Sequence, residues 1–163
     1  MATKEELKQI VMLGYLTDEM LDQLIPITDL FLFDDKEVIF RQGDKAERFY
    51  MLQQGKVLLE QRITDKITVS LSAIKAGFSF GWSAMLDEKL YASDAICTEP
   101  CKVFSFRENK IKALFENNHS LGFIMSQRLL RIIKKRYDVQ REQFIKTLTH
   151  HPDLSALFEK PAE

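Results

Sequence analysis

The sequence of 163 residues contains only two cysteines, Cys97 and Cys101. Two cysteines are too few for a disulfide framework or a four-cysteine zinc site, so the sequence predicts a reducing, cytoplasmic environment. No apolar run approaches the roughly 18 residues that a membrane-spanning helix needs, and the opening MATKEELKQIVML lacks the continuous apolar core of a signal peptide. We therefore expect a protein that is neither exported nor embedded in a membrane.

The sequence also lacks a large excess of either positive or negative charge. The 23 Lys and Arg residues nearly balance the 24 Asp and Glu residues, which gives a formal net charge of -1. An overall attraction to nucleic acids or anionic membranes is therefore not expected. One basic cluster spans residues 128–136, but Asp138 and Glu142 follow it, and such a mixture is typical of a charged helix face.

The sequence has few groups that carry catalytic or metal chemistry. Its three histidines, His119, His150 and His151, all fall in segments with a helical pattern. A metal-dependent jelly-roll enzyme needs histidines on its strands, and the predicted strands contain none. No nucleophile and base stand in a recognisable arrangement, so the sequence favours a protein that is not an enzyme. Cys97 and Cys101 are expected to be small buried side chains rather than a redox pair.

Between residues 36 and 106 the sequence consists of short runs rich in Val, Ile, Phe and Tyr. Turn signals interrupt these runs at positions 42–44, 54–55, 64–66 and 76–77. No space remains for the crossover helices of a parallel sheet, so the pattern predicts an antiparallel β-roll or jelly roll. The six candidate strands are 37–40, 49–52, 56–61, 68–74, 93–98 and 102–106.

Helical periodicity flanks this β region, so the fold class is mainly β with flanking α. We expect a helix over 4–13 capped by Thr3, and a second helix that starts near Thr17 and ends near Pro26. A third helix is predicted over 108–115. A long C-terminal helix follows, capped by Ser120, and its far half keeps an apolar row among many charges, which favours a homodimer formed through this helix. The open alternative is a solvated helix that frays after Tyr137.

The segments KEVIFRQGDKAERFYMLQQGKVLL (36–59) and GFSFGWSAML (77–86) together resemble the cyclic-nucleotide-binding domain. The most specific parts are the IFRQGD turn, the FYMLQQGKV hairpin, and the pair Phe80-Gly81 that opens the family's phosphate-binding cassette. The resemblance covers roughly residues 20–140, and because no repeat or low-complexity linker divides the chain, we expect one domain over 1–163. Its parts are N-terminal helices at 1–30, a β-roll at 31–106 with the cassette at 77–95, C-terminal helices at 107–150 and a tail at 151–163.

The resemblance also implies a ligand site. In the family, backbone N–H groups after the FG pair bind the cyclic phosphate, a glutamate binds the ribose, and an arginine holds the phosphate. Here Trp82 stands at the glutamate position and Tyr91 at the arginine position. The candidate ligand-binding residues are Phe80, Gly81, Trp82, Ser83, Ala84, Lys89, Tyr91, Ala92 and Ser93. The candidate ligand is cyclic AMP or cyclic GMP, bound weakly or not at all.

Three questions about the site and the function stay open. Trp82 stacks on a flat ligand, or it fills the pocket with its own ring. Lys89 supplies part of the missing positive charge, or it is an ordinary solvated lysine. The whole protein is a non-enzymatic sensor that signals through rearrangement between barrel and helix, a ligand-blind dimeric scaffold, or a sensor of a less anionic ligand. Because no helix-turn-helix domain follows the long helix, direct DNA binding is not expected, and the downstream protein partner is unknown.

Overall fold

The computed structural model describes residues 2–86 and 90–154 of the chain. The chain forms two compact units, of which the first extends to Met125 and the second begins at Ser126. Among the described residues, the first unit contains the strands and the shorter helices, and the second includes the distal part of the last helix. Within the described residues, no helix is long and apolar enough to cross a lipid bilayer.

The two N-terminal helices are short and well capped. Helix α1 spans Lys4–Lys8, where Thr3 and Glu6 form a reciprocal capping box, and helix α2 spans Asp18–Leu24 after the N-cap Thr17. The predicted helix over 4–13 is wrong in its extent, because the chain breaks into successive turns after Lys8. Its apolar residues are nevertheless buried, since Ile10 and Leu13 are fully enclosed. A 3-10 turn, Ile25–Ile27, then leads into the first strand.

In the described part of the chain, eight strands form two antiparallel four-stranded sheets. Their orders are β1-β8-β3-β6 and β2-β7-β4-β5. The six strands predicted from the sequence are confirmed, and two further strands, β1 and β6, were not predicted. The strands are β1 Thr28–Phe33, β2 Val38–Phe40, β3 Arg48–Gln54, β4 Lys56–Thr64, β5 Ile67–Lys75, β6 Ser79–Phe80, β7 Asp94–Cys97 and β8 Cys101–Arg107.

The central strands β3 and β8 are buried on both faces. Because successive side chains of a strand point to opposite faces, each of these strands contributes to two layers of the core. Lys102 of β8 forms an ion pair of 2.6 Å with Glu6, and this contact joins strand β8 to helix α1. The N-terminal helices are thus tied to the sheet that carries β3 and β8.

The turn before β6 is held from two sides. The N–H of Gly77 donates to the carbonyl of Leu52 in β3 (2.7 Å), and the carbonyl of Gly77 accepts from the N–H of Val11 (2.9 Å). Gly77 has a φ of +89°, a conformation that glycine adopts without strain. This turn therefore links the N-terminal segment, the central strand β3 and the chain that enters β6.

Helix α3 spans Glu108–Asn117 and helix α4 spans His119–Thr149. The predicted cap Ser120 is wrong, because the side chain of Asn118 accepts the N–H of Leu121 (3.0 Å) and so caps the start of α4. Asparagine is as effective an N-cap as serine, so the break at 117–119 already contained the functional cap. The two cysteines are free and buried, as the sequence predicts.

Candidate functional site

The cassette begins where β6 ends. Gly81 has a φ of +71°, and a short 3-10 helix, Trp82–Met85, follows it directly. A Cβ atom at Gly81 would lie 2.9 Å from the Cδ2 atom of Tyr50, so only glycine fits this close approach. The turn onto a helix that the sequence predicts is therefore present, and its glycine is required by both conformation and space.

The short helix is partly turned into the core. Ser83 and Ala84 are buried, whereas Trp82 is half-buried. The N–H of Ala84 donates to the carbonyl of Gly81 at 3.3 Å, so this amide is satisfied within the turn itself. Trp82 as a whole is thus neither fully buried nor fully exposed.

Tyr91, at the position of the family's arginine, points into the protein. Its side chain is only 5% exposed. Its ring stacks on that of Phe40, with centroids 3.8 Å apart and planes inclined by 16°. Its hydroxyl donates to the backbone carbonyl of Arg48 (2.6 Å) and accepts from the N–H of the same residue (3.2 Å). The hydroxyl group is therefore committed to strand β3.

Four aromatic rings form one cluster behind the cassette, which we call the aromatic cluster: Phe40, Tyr50, Phe80 and Tyr91. Tyr50 stacks on Phe80 at 5.3 Å and on Phe40 at 5.6 Å between centroids. Aromatic contacts of this geometry stabilise a core beyond their area burial, by about 0.5–1.5 kcal/mol per pair. The cluster places four tightly packed rings directly beneath Gly81.

Both phenols of the cluster stay protonated at neutral pH. Burial raises the pKa of Tyr91 far above its ordinary value, and the nearby phenol of Tyr50 raises it further. Burial also raises the pKa of Tyr50, partly offset by its hydrogen bond to Tyr91. The inner wall of the cassette therefore consists of neutral aromatic side chains.

Backbone contacts fix the segment that carries Tyr91. The N–H of Tyr91 donates to the carbonyl of Asp44 (2.9 Å), and the carbonyl of Tyr91 accepts from the N–H of Gly43 (2.9 Å). A few residues further on, the carboxylate of Asp94 accepts from the N–H of Gln42 (2.6 Å). The IFRQGD turn and the far end of the cassette are thus joined, and the inward direction of Tyr91 is set by its backbone.

A cationic residue next to the cassette was not predicted from the sequence. Arg48 lies at the start of β3, and its Nη1 atom contacts the carboxylate of Asp29 (2.7 Å) and the hydroxyl of Ser105 (3.0 Å). Its guanidinium also lies 5.2 Å from the ring centroid of Phe31, a cation–π distance. No local sequence motif predicts the contacts of Arg48, because Asp29 and Ser105 lie 19 and 57 residues away along the chain.

The structure brings most of the predicted site residues together. Phe80 and Tyr91 belong to the aromatic cluster, and Gly81 and the short helix Trp82–Met85 follow Phe80 directly, while Ala92 is exposed and Ser93 is half-buried. Lys89 lies outside the described residues. A ligand role for any of these residues remains a prediction. In the described part of the chain, no group of three or more His, Cys, Asp or Glu residues is placed to hold a metal ion.

The model of the cyclic nucleotide-binding domain family matches residues 31–118, more than half of the chain. The chain therefore belongs to this family. A chain from Geobacter metallireducens described as a cyclic nucleotide-binding protein superimposes with a TM-score of 0.73 at 27% identity, covering 84% of this chain and 99% of that one. The regulatory domain of Toxoplasma gondii PKA, solved with cAMP, gives a TM-score of 0.66 at 21% identity, covering 78% of this chain and 48% of that one.

Among curated proteins, the cGMP-dependent protein kinase egl-4 of Caenorhabditis briggsae is 24% identical over 95 residues. The match covers 58% of this chain but only 13% of the kinase. The similarity therefore concerns a small part of that relative, within a family of regulatory binding domains.

Proposed function

We propose that this chain is a non-enzymatic regulatory domain of the cyclic-nucleotide-binding fold, whose cassette binds cyclic nucleotides weakly or not at all. The observation that carries the proposal is the orientation of Tyr91. Its ring is buried against Phe40, and its hydroxyl donates to the backbone carbonyl of Arg48 at 2.6 Å. A neutral group that is already bonded within the protein stands where the family's arginine holds the phosphate.

The expected loss of affinity is large. A hydrogen bond to a charged group contributes about 1.5–3 kcal/mol, and a buried phosphate without its cationic partner costs more than the bond alone. With the ribose-binding carboxylate also replaced by Trp82, affinity falls on the order of a thousandfold or more. The cation of Arg48 does not replace the lost arginine, because it is engaged by Asp29 and Ser105.

Titration of the purified chain with cyclic AMP and cyclic GMP tests this proposal. Trp82 is the only tryptophan, so its fluorescence reports on the cassette itself. A ligand at 100 times its Kd adds about 2.7 kcal/mol to the free energy of unfolding and raises the melting temperature accordingly. We expect neither signal to change at micromolar nucleotide. Saturable binding at micromolar Kd would overturn the proposal.

A gain-of-function variant tests the assignment of positions 82 and 91. Trp82→Glu combined with Tyr91→Arg restores both of the family's side chains and is expected to create measurable cyclic-nucleotide binding. Trp82→Glu alone is the control, because it restores the ribose contact without the phosphate contact. Circular dichroism must show that the double variant is folded, since Tyr91→Arg also removes the buried contact with Phe40. A folded double variant whose affinity for cyclic nucleotides does not rise would contradict the assignment.

A second candidate function is a ligand-blind scaffold, and the filled interior supports it. The rings of the aromatic cluster stack on one another and fill the core beneath Gly81. A third, binding of a flat and less anionic ligand, is supported by the position of Trp82, which is half-buried at the start of the short helix that follows Gly81. Quenching of Trp82 by an uncharged purine nucleoside, without quenching by cyclic nucleotides, would separate this third candidate from the scaffold.

A regulatory signal from this domain would be transmitted to a partner through helix α4. Four large apolar side chains spaced by seven residues are exposed along it: Phe123, Leu130, Tyr137 and Phe144. Exposed apolar rows of this period are typical of a helix that pairs with another helix. The homodimer expected from the sequence requires that a second copy of α4 cover this row.

A further inference from the structure

The distal part of α4 differs in charge from the rest of the chain. Residues 126–149 contain seven Lys or Arg residues and two acidic residues, although the complete chain carries a net charge of -1. The remaining sequence therefore has an excess of acidic residues. Positive charge is therefore concentrated on a helix that also exposes an apolar row.

That row has the geometry of a helix-pairing seam. Leu130, Tyr137 and Phe144 are 58%, 58% and 64% exposed, and they repeat at intervals of seven residues within the second unit. Seven residues correspond to two helical turns, so the three side chains lie on one line along the helix. Ile133, half-buried, lies between the first two and extends the row. We call these four residues the α4 row.

The positions that flank the α4 row contain no acidic residue. Gln127, Lys134, Arg141 and Leu148 lie along one side, and Leu129, Arg136 and Gln143 lie along the other. In helix pairs, these flanking positions face the partner and decide which partner is accepted. Lys134 and Arg141 have 66% and 54% of their side chains exposed. Asp138 pairs with Lys134 at 2.6 Å and lies 3.9 Å from Arg141.

A second copy of α4 fits this pattern poorly. In a parallel pair, Arg136 of one helix faces Arg141 of the other. In an antiparallel pair, the side with Lys134 and Arg141 faces the same side of the second helix. These two cations then lie opposite Lys134 and Arg141 of that helix. Like charges across a seam destabilise the pair and act against self-association. An acidic partner would instead place opposite charges across the seam from the exposed side chains of Lys134 and Arg141.

We propose that the α4 row binds an acidic amphipathic helix of another protein rather than a second copy of this chain. The occupant has apolar residues at the seam and Glu or Asp at the positions that face Lys134 and Arg141. This inference rests on the proposed regulatory function, because it names the kind of partner that would bind the domain and respond to it. It does not depend on whether the cassette binds a nucleotide.

The test uses the full chain and two synthetic heptad peptides with identical apolar seams. One peptide has Glu at all flanking positions and the other has Lys. Anisotropy of the labelled peptides should show binding of the Glu peptide at least about tenfold tighter than that of the Lys peptide. The preference should weaken with added salt, because the flanking charges are exposed. Equal binding of both peptides, or of neither, would overturn the proposal.

A charge-reversal variant gives an independent readout. The variant Lys134→Glu, Arg136→Glu, Arg141→Glu is expected to reverse the preference between the peptides and to form a heterodimer when mixed with the parent chain. Lys45→Glu, a charge reversal outside α4, is the control and should leave both results unchanged. Sedimentation should show the parent chain alone as a monomer at micromolar concentration. A stable parent homodimer, or binding to vesicles containing phosphatidylserine without binding to the Glu peptide, would contradict the inference.

These outcomes are separable from those of the nucleotide titration. Peptide binding is read from anisotropy and involves α4 alone, whereas nucleotide binding is read from Trp82 in the cassette. A chain that binds cyclic AMP tightly and also prefers the Glu peptide would overturn the proposed loss of ligand binding and leave the partner inference intact.

Discussion

The rings of Tyr91 and Phe40 lie 3.8 Å apart although 51 residues separate them in the sequence. This stack joins the far end of the cassette to strand β2, and the Tyr91 hydroxyl joins the same point to β3 through Arg48. One side chain at a position expected to serve a ligand thus connects two strands that belong to different sheets.

The two roles of Tyr91 can be separated by mutation. Tyr91→Phe keeps the stack but leaves backbone groups of Arg48 without their partner, so it should lower the free energy of unfolding by about 1–2 kcal/mol. Tyr91→Ala also removes the ring and should cost about 3–5 kcal/mol. Urea unfolding measures both values. Tyr137→Phe, at an exposed tyrosine, is the control and should change stability by less than about 0.5 kcal/mol. Equal effects of Tyr91→Phe and Tyr137→Phe would contradict a structural role for the buried hydroxyl.

Two glycines with similar backbone conformation should respond differently to alanine. Gly43 and Gly55 have φ values of +87° and +96°. A Cβ atom at Gly43 would meet nothing within 4 Å, so Gly43→Ala should cost only the backbone strain of about 1–2 kcal/mol. A Cβ at Gly55 would lie 2.6 Å from both the Sγ of Cys101 and the carbonyl oxygen of Pro100.

Because backbone cannot move aside cheaply, Gly55→Ala should be clearly more destabilising than Gly43→Ala in thermal unfolding. Loss of the folded state would be an acceptable result for Gly55→Ala. Equal melting temperatures for the two variants would show that the space around Gly55 is not limiting.

The ion pair between Glu6 and Lys102 predicts a pH-dependent contribution to stability. The hydrogen bond from Lys102, followed by the backbone N–H of Thr3, lowers the pKa of Glu6 below its ordinary value. A lowered folded-state pKa stabilises the protein above the unfolded pKa, and this contribution disappears as the pH falls through the folded pKa. Lys102→Met should therefore reduce stability at pH 7 by about 0.5–1 kcal/mol and have little effect in acid.

The control for this prediction is Lys45→Met. Lys45 pairs with Glu47 at 2.8 Å, but both side chains are mostly exposed, so its removal should hardly change stability at any pH. Measurement of urea unfolding from pH 7 down to pH 3 compares the two variants. A difference between Lys102→Met and the parent that persists unchanged into acid would contradict the assigned cause.

The two cysteines should be inert in the folded protein. Burial raises the pKa of the Cys97 thiol to about 12, and a hydrogen bond with Cys101 contributes to this rise. Since the thiolate is the reactive form, neither cysteine should react with a thiol reagent at neutral pH until the protein unfolds. Titration with a chromogenic disulfide reagent, with and without guanidinium, measures this. Rapid labelling of a thiol in the native chain would contradict the burial of both side chains.

The sequence predicted six of the eight strands because each is bounded by a turn and is rich in β-branched or aromatic residues. Strand β6 has only two residues, too few for any alternation to be visible. Strand β1 follows the 3-10 turn at Pro26, and its run TDLFLF was not read as a strand. Its pairing with β8 joins residues more than 65 positions apart, which local sequence patterns do not encode.

The candidate site was predictable to a similar degree. Gly81 and the turn onto a short helix follow from the local sequence, since only glycine fits that conformation. The direction of Tyr91 does not, because tyrosine is equally suited to a core and to a polar pocket. Its inward orientation depends on Phe40 and on the backbone of Arg48, which come from distant strands. Likewise, the partners of the Arg48 cation are found only once β1, β3 and β8 lie side by side.

The hydrogen bond from Val11 to the carbonyl of Gly77 gives the N-terminal segment an unusual use as a reporter. Val11 has an exposed side chain, yet its amide hydrogen exchanges with solvent only when this bond opens. The N–H of Gly77 also donates to the carbonyl of Leu52, and the turn leads into β6. Amide exchange at Val11 therefore reports whether the segment that enters the cassette is folded. A change at the cassette can thus be followed in deuterium uptake at a residue seventy positions away from Gly81.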